Sequence, residues 1–260
     1  MNTVIRKNPD IADLHNQSYV CIDLHFHSRS SDGSAEVEDI LALAQQLDIG
    51  FALTDHNAVA SALVAGSARD ILVIPGIELT TCDKIDFLIY FYSFEDLEEY
   101  YDTLVHTNKN SNIGFNLNKT CLPTLQALKE AKKRNAVITL PHPFTLPPKN
   151  SAAYVLKHPE ILEYIDCIEV LNGVQTKSRN LKSEAWARTL NKPVSGGSDG
   201  HTLSPLGTTV VAIKCKPTIR DYLDNLRIGN SVVIGKELNL VHVAKSRFSI
   251  VKNNILLRVR

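Results

Sequence analysis

The chain has no excess of either charge: twenty-eight basic side chains balance twenty-eight acidic ones over 260 residues. It therefore lacks the global positive field that holds long nucleic acid or an anionic membrane, although a local basic patch is compatible with neutrality. It also lacks a Cys-x-x-Cys pair. Its five cysteines, Cys21, Cys82, Cys121, Cys167 and Cys215, are odd in number and widely spaced, which argues for thiols in a reducing compartment rather than a disulfide framework. No apolar run is long enough to span a bilayer, and the first twenty residues carry Arg6, Lys7, Asp10 and Asp13 without the apolar core of a secretory signal. A cytoplasmic enzyme is the expectation. There is no internal repeat and no compositional sign of disorder: 44% hydrophobic and 22% charged residues are ordinary for a globular domain. The length suffices for one large α/β domain.

What the sequence does contain is a set of polar clusters, each following an apolar run. The first is Asp23-Leu24-His25-Phe26-His27. In a strand of period two its polar residues share one face, so two imidazoles point the same way and offer neutral nitrogens to a divalent ion. Asp32 follows in a Ser/Gly-rich turn. Phe51-Ala52-Leu53-Thr54 then leads into Asp55-His56-Asn57, and Ile71 to Ile74 leads through Pro75-Gly76 to Glu78. Ala136 to Leu140 delivers Pro141-His142-Pro143, and Pro193-Val194-Ser195 opens the run Gly196-Gly197-Ser198-Asp199-Gly200-His201. Helical spacing separates these runs: Val37, Ile40, Leu41, Ala44 and Leu47 behind a Ser34 cap, Val59 to Ala68, Leu122 to Asn135, Tyr154 to Tyr164, then Leu181 to Leu190 and Ile219 to Leu226 before Gly229. Alternation of strand, polar residue and helix predicts a mostly parallel sheet with its ligand face at the strand C-termini.

The weakest patterning lies at residues 95–120, an acidic helical piece followed by a run rich in asparagine (Asn108, Asn110, Asn112, Asn116, Asn118), read as a loop or short lid. Residues 1–19 read as a tail or covering segment and 20–235 as the barrel domain. Residues 236–260 read as a C-terminal extension with a strand-like alternation.

In their order and spacing, the segments Asp-Leu-His-Phe-His-Ser with Ser-Asp-Gly, Thr-Asp-His-Asn, Pro-Gly-Ile-Glu, Pro-His-Pro and Gly-Gly-Ser-Asp-Gly-His resemble the polymerase and histidinol phosphatase (PHP) family of metal-dependent phosphoesterases, over residues 21–201. The resemblance implies an α/β fold, a distorted TIM-like (β/α)7 barrel in a single domain. It implies two to three divalent ions, manganese, zinc or iron, with His25, His27, Glu78 and Asp199 on one, and Asp32, His56 and His201 on a second. Glu78 would bridge to a third, shared with His142 and Asp86. Many relatives carry a histidine where this chain has Asp86, and a carboxylate there is a harder ligand. His106, in the possible lid, is a candidate stand-in. Asp23 and Asp55 read as carboxylates that fix the tautomers of neighbouring histidines. His15, His158 and His242 have no motif around them.

The implied activity is hydrolysis of a small phosphorylated metabolite, a nucleotide or sugar phosphate, by metal-activated water, with Asp199, His201 and His56 at the reacting centre and Asn172 and Arg179 toward the substrate. Alternatives are an exonuclease acting on short oligonucleotides, a non-catalytic metal or ligand-binding module of the same fold and, more distantly, a zinc amidohydrolase.

Overall fold

The computed structural model describes residues 3–109 and 120–238. Strand β2 (Val20–Phe26) is the inner strand that carries the first cluster, and residues 21–26 are buried. Beside it lie β3 (Gly50–Leu53) and β4 (Val73–Ile74), both parallel, reached through helices α2 (Val37–Leu47) and α3 (Ala60–Ala65). On its other edge β10 (Thr209–Ile213) runs antiparallel, followed by β11 (Val232–Gly235) and β1 (Thr3–Ile5). These six strands form one sheet. The second sheet holds β5 (Gly76–Thr80), β6 (Asp86–Tyr90), β7 (Val137–Leu140), β8 (Cys167–Asn172) and β9 (Val194–Gly197), in that order.

The architecture is therefore mixed α/β, and among the described residues the strand pairing is divided between these two sheets and does not run on as one continuous closed barrel. Among the described residues two short bridges join the sheets, Phe26 to Gly200 and His56 to Glu78, and both fall at strand ends that carry site residues. The physical reason is connectivity. No helix separates β4 from β5 or β5 from β6, so β6 is antiparallel to both its neighbours. One residue, Pro75, passes the chain from the first sheet to the second. The strict strand-and-helix repeat is thereby lost.

One hydrophobic core nevertheless runs between the sheets. Tyr90 of β6 is fully buried and donates its hydroxyl to the Leu24 carbonyl of β2, 2.7 Å away, satisfying a polar group that would otherwise be costly inside. Gly197 allows β9 to approach β2 closely: a Cβ there would lie 2.4 Å from the Cβ of His25.

Several local expectations shift. Helix α2 begins after Glu36, not Ser34, whose hydroxyl donates instead to the His201 carbonyl. The stretch 154–164 splits into α6 (Ser151–Lys157) and a 3-10 turn (Pro159–Glu163), because Pro159 has no amide to continue the helix. Residues 3–5 and 11–16 form β1 and helix α1 (Ile11–Asn16). The acidic piece forms α4 (Phe94–Tyr100) and a π-helical turn (Tyr101–His106), with Leu97, Tyr100, Leu104 and Val105 buried in the core, so this half of the expected lid is part of the body. The remaining helices are α5 (Thr124–Lys133), α7 (Lys177–Thr189) and α8 (Ile219–Arg227), the last stopped at Gly229 with its φ of 80°. Asn110, Asn112, Asn116, Asn118, His242 and most of the C-terminal extension lie outside the described residues.

Candidate metal centre

Eight of the nine expected ligands converge. The ring nitrogens and carboxylate oxygens fall into four overlapping groups: His25, Glu78 and His142; His25, His27 and Asp199; His27, Asp32 and His201; His27, His56 and Glu78. Apart from Asp32, the ligands come from five places along the chain: β2 and its end for His25 and His27, β5 for Glu78, and the loops after β3, β7 and β9 for His56, His142 and the Asp199–His201 pair. Asp32 is delivered by the Ser-rich turn, which Asp55 shapes by accepting from the Ser28 amide and from the hydroxyls of Ser28 and Ser31. His142 and Asp199 have φ of 29° and 51°, a left-handed backbone that non-glycine residues seldom adopt.

The geometry around His25 and His27 suits an ion. His25 Nε2 lies 3.2 Å from His27 Nε2, 3.3 Å from Glu78 Oε2 and 3.5 Å from Asp199 Oδ1. His27 Nε2 lies 3.2 Å from that Glu78 oxygen and 3.3 Å from that of Asp199. Donors about 2.1 Å from a tetrahedral ion are about 3.4 Å apart. The tautomers point the same way. His25 Nδ1 is 2.9 Å from a Glu169 carboxylate oxygen, to which a neutral ring donates, leaving the Nε2 lone pair facing the cluster. His201 Nδ1 donates to the Asp199 carbonyl at 2.9 Å, so its Nε2 lone pair faces the Asp32 carboxylate at 3.3 Å. Acceptor against acceptor is repulsive unless a proton or a cation lies between them.

Protons are what the metal-free cluster collects. Burial pushes His25, His27 and His142 down, but the carboxylates outweigh it: Asp199 and Glu169 raise His25, Asp199 and Glu78 bring His27 up to about 10, and Glu78 raises His142. In the other direction, burial would raise Asp32, Glu78 and Asp199, and the facing histidines hold all three below the usual carboxylate range. His56 is the exception, lowered because burial outweighs Glu78. A cation that displaces these protons satisfies the same carboxylates.

Asp86 does not join the cluster. Its Oδ2 lies 2.8 Å from the Lys149 ammonium, and its Oδ1 accepts from the Thr80 hydroxyl at 2.6 Å. His106 does not replace it: it is exposed on the π-helical turn, its ring 6.0 Å from that of Tyr101. Asn172 is buried and donates to both Glu169 and Asp199 at 3.0 Å, so its amide protons are engaged within the protein. Arg179 is half-buried and donates to Gln175, outside the cluster. Asp23 takes no histidine ring; it accepts from the Ser198 and Gly207 amides and anchors the loop after β9. His15 pairs with Asp48 and His158 stacks on Tyr154, both away from the site.

Two participants have no motif in the sequence. Glu169 sits mid-strand in β8, where a register shift between Glu169 and Leu171 breaks the pairing with β9, and Glu169 and Asn172, three apart, are in contact. Its Oε2 also accepts from the His142 amide at 2.7 Å. A charge inside Cys-Ile-Glu-Val-Leu was the available signal. Lys149, in a proline-rich loop, had none.

Two kinds of likeness bear on the class. Residues 177–231 match the family described as PHP-associated. The uncharacterized protein MJ0417 of Methanocaldococcus jannaschii is 26% identical over 231 residues, 85% of this chain and 84% of that protein. Among solved structures, a two-domain protein from Bacteroides vulgatus containing a predicted PHP-like metal-dependent phosphoesterase superposes with a TM-score of 0.61 at 18% identity, over 95% of this chain and 73% of that one. Endonuclease Q, bound to a 27-mer duplex with an abasic lesion at its active site, superposes with a TM-score of 0.64 at 17% identity, over 84% of this chain and 60% of that one. The fold is PHP-like, and the resemblance to the PHP family read from the motifs is borne out.

Proposed function

We propose that this chain is a metal-dependent phosphoesterase that hydrolyses a small phosphorylated metabolite, a nucleotide or sugar phosphate. The observation that carries the reading is the convergence of imidazole lone pairs and carboxylate oxygens at ion-binding spacing, in a PHP-like fold. In the proposed centre His25, His27, Glu78 and Asp199 hold one divalent ion, and Asp32, His201 and His56 a second. When bound, such ions polarise a phosphoryl oxygen and lower the pKa of water.

The rest of the chemistry belongs to the chain. Glu169 fixes the tautomer of His25, and Asn172 holds Glu169 and Asp199 in register through its two amide protons. Asn172 is thus assigned a positioning role in place of substrate contact. His56, whose side chain keeps 21% exposure, stands at the mouth of the site, with burial favouring the neutral ring that a ligand must be. Arg179, on the first turn of α7, is left as a phosphate contact at the rim.

A second reading, action on oligonucleotides, is favoured by the likeness to Endonuclease Q and opposed by the absence of net positive charge. Turnover of nucleotides, sugar phosphates and short oligonucleotides by manganese-loaded protein tests both. A monophosphate hydrolysed with little salt dependence supports the first. Preference for oligonucleotides with a KM that rises steeply with salt supports the second and overturns the first.

A further inference from the structure

The third ion that the sequence led one to expect would need Asp86, and Asp86 is already bound to a cation of the protein's own. Its carboxylate is buried, with one oxygen 2.8 Å from Lys149 Nζ and the other accepting from Thr80. The Thr80 hydroxyl is also 3.2 Å from His56 Nδ1, so the pair is connected to the cluster through one side chain. On this flank the remaining donors are few. His142 Nε2 lies 3.2 Å from Glu78 Oε1. His25, the third member of that group, has its Nδ1 on Glu169 and its Nε2 against His27 and Asp199. Two protein donors are a poor cage for a divalent ion, which takes four or more ligands.

We propose that the Lys149 ammonium, held by Asp86, takes the place of the third cation, so that the chain binds two metal ions and not three. A lysine there neutralises Asp86 and presents one positive charge, 42% exposed along its side chain, within electrostatic reach of Glu78. Glu78 and Asp32 act on the ammonium as well, holding its proton on more firmly than usual against the opposing effect of burial. The inference rests on the metal-centre reading above and specifies its stoichiometry.

The test is elemental analysis of manganese-reconstituted protein after removal of loosely held ions, for the wild type, Lys149→Met and Lys149→Arg. Met keeps the length of the side chain without its charge, and the residue lies in a half-exposed loop. The expected result is two ions per chain in the wild type and in Lys149→Arg, and three in Lys149→Met, where Asp86 is released to act as a ligand. Three ions in the wild type, or an unchanged two in Lys149→Met, would overturn the lysine proposal alone. A wild type that retains fewer than two ions would overturn the metal centre and the proposal with it.

Discussion

At the scale of single residues, the site is a competition between protons and cations for the same lone pairs. His27, brought up to about 10 from 6.5, contributes stability to the metal-free fold that is fully present below pH 6.5 and lost as pH rises through 10. Glu78, Asp32 and Asp199 contribute stability present above their unfolded values of 3.8 to 4.5, lost on acidification. Bound metal reverses the first trend, because a deprotonated ring is the ligand. The rise in melting temperature on adding manganese should therefore be larger at about pH 8.5 than at about pH 6. A rise that shrinks with pH would contradict the assignment. Glu169 belongs to the same scale: Glu169→Gln should weaken metal binding by about 10- to 100-fold in a competitive chelator titration. Unchanged affinity would mean that Glu169 serves the strand and not His25.

Residues were legible where the chain places them at the end of an apolar run. His25, His27, His56, His142, Asp199 and His201 all follow one, and period two alone sets the first pair on a shared face. Glu169 was not, because its position depends on a register shift in β8, a property of the pairing with β9. Asp86 reads as a ligand only while Lys149, sixty-three positions on, is unseen.

At the scale of elements, the alternation of strands and helices was legible and their pairing was not. The jog at Pro75 and the antiparallel entry of β6 are decided by long-range partners, and they separate the strands into two sheets. The polar text of residues 95–120 suggested a loop or lid behind an acidic helical piece; in that piece every third or fourth residue, Leu97, Tyr100 and Leu104, is buried, which is the pattern of a packed helix. Leu97→Ala should cost about 2–5 kcal/mol in denaturant unfolding, as for a core leucine. A cost near zero would restore the lid. At the seam between the sheets, Gly197→Ala would place a methyl against His25 and should cost about 1–3 kcal/mol with loss of metal affinity. An unperturbed variant would show that the seam is loose.

At the scale of the whole molecule, a neutral chain concentrates its ionisable groups in one place. Asp32, Glu78, Asp86, Glu169 and Asp199 meet five histidines and one lysine where the two sheets touch. Net neutrality offers no global field for a long polyanion, which is why a compact phosphorylated substrate is the proposed reading. Among the described residues no helix is long and apolar enough to cross a membrane.

The most direct test of this account joins metal content to chemistry in one comparison, the wild type beside the double variant His25→Ala/Asp199→Ala, each analysed for bound ions and for phosphate release from the preferred substrate. The account predicts metal and turnover in the wild type and neither in the variant, with both folded by circular dichroism. A variant that still turns over substrate at the wild-type rate, or a metal-loaded wild type inert on every phosphate ester, would contradict it.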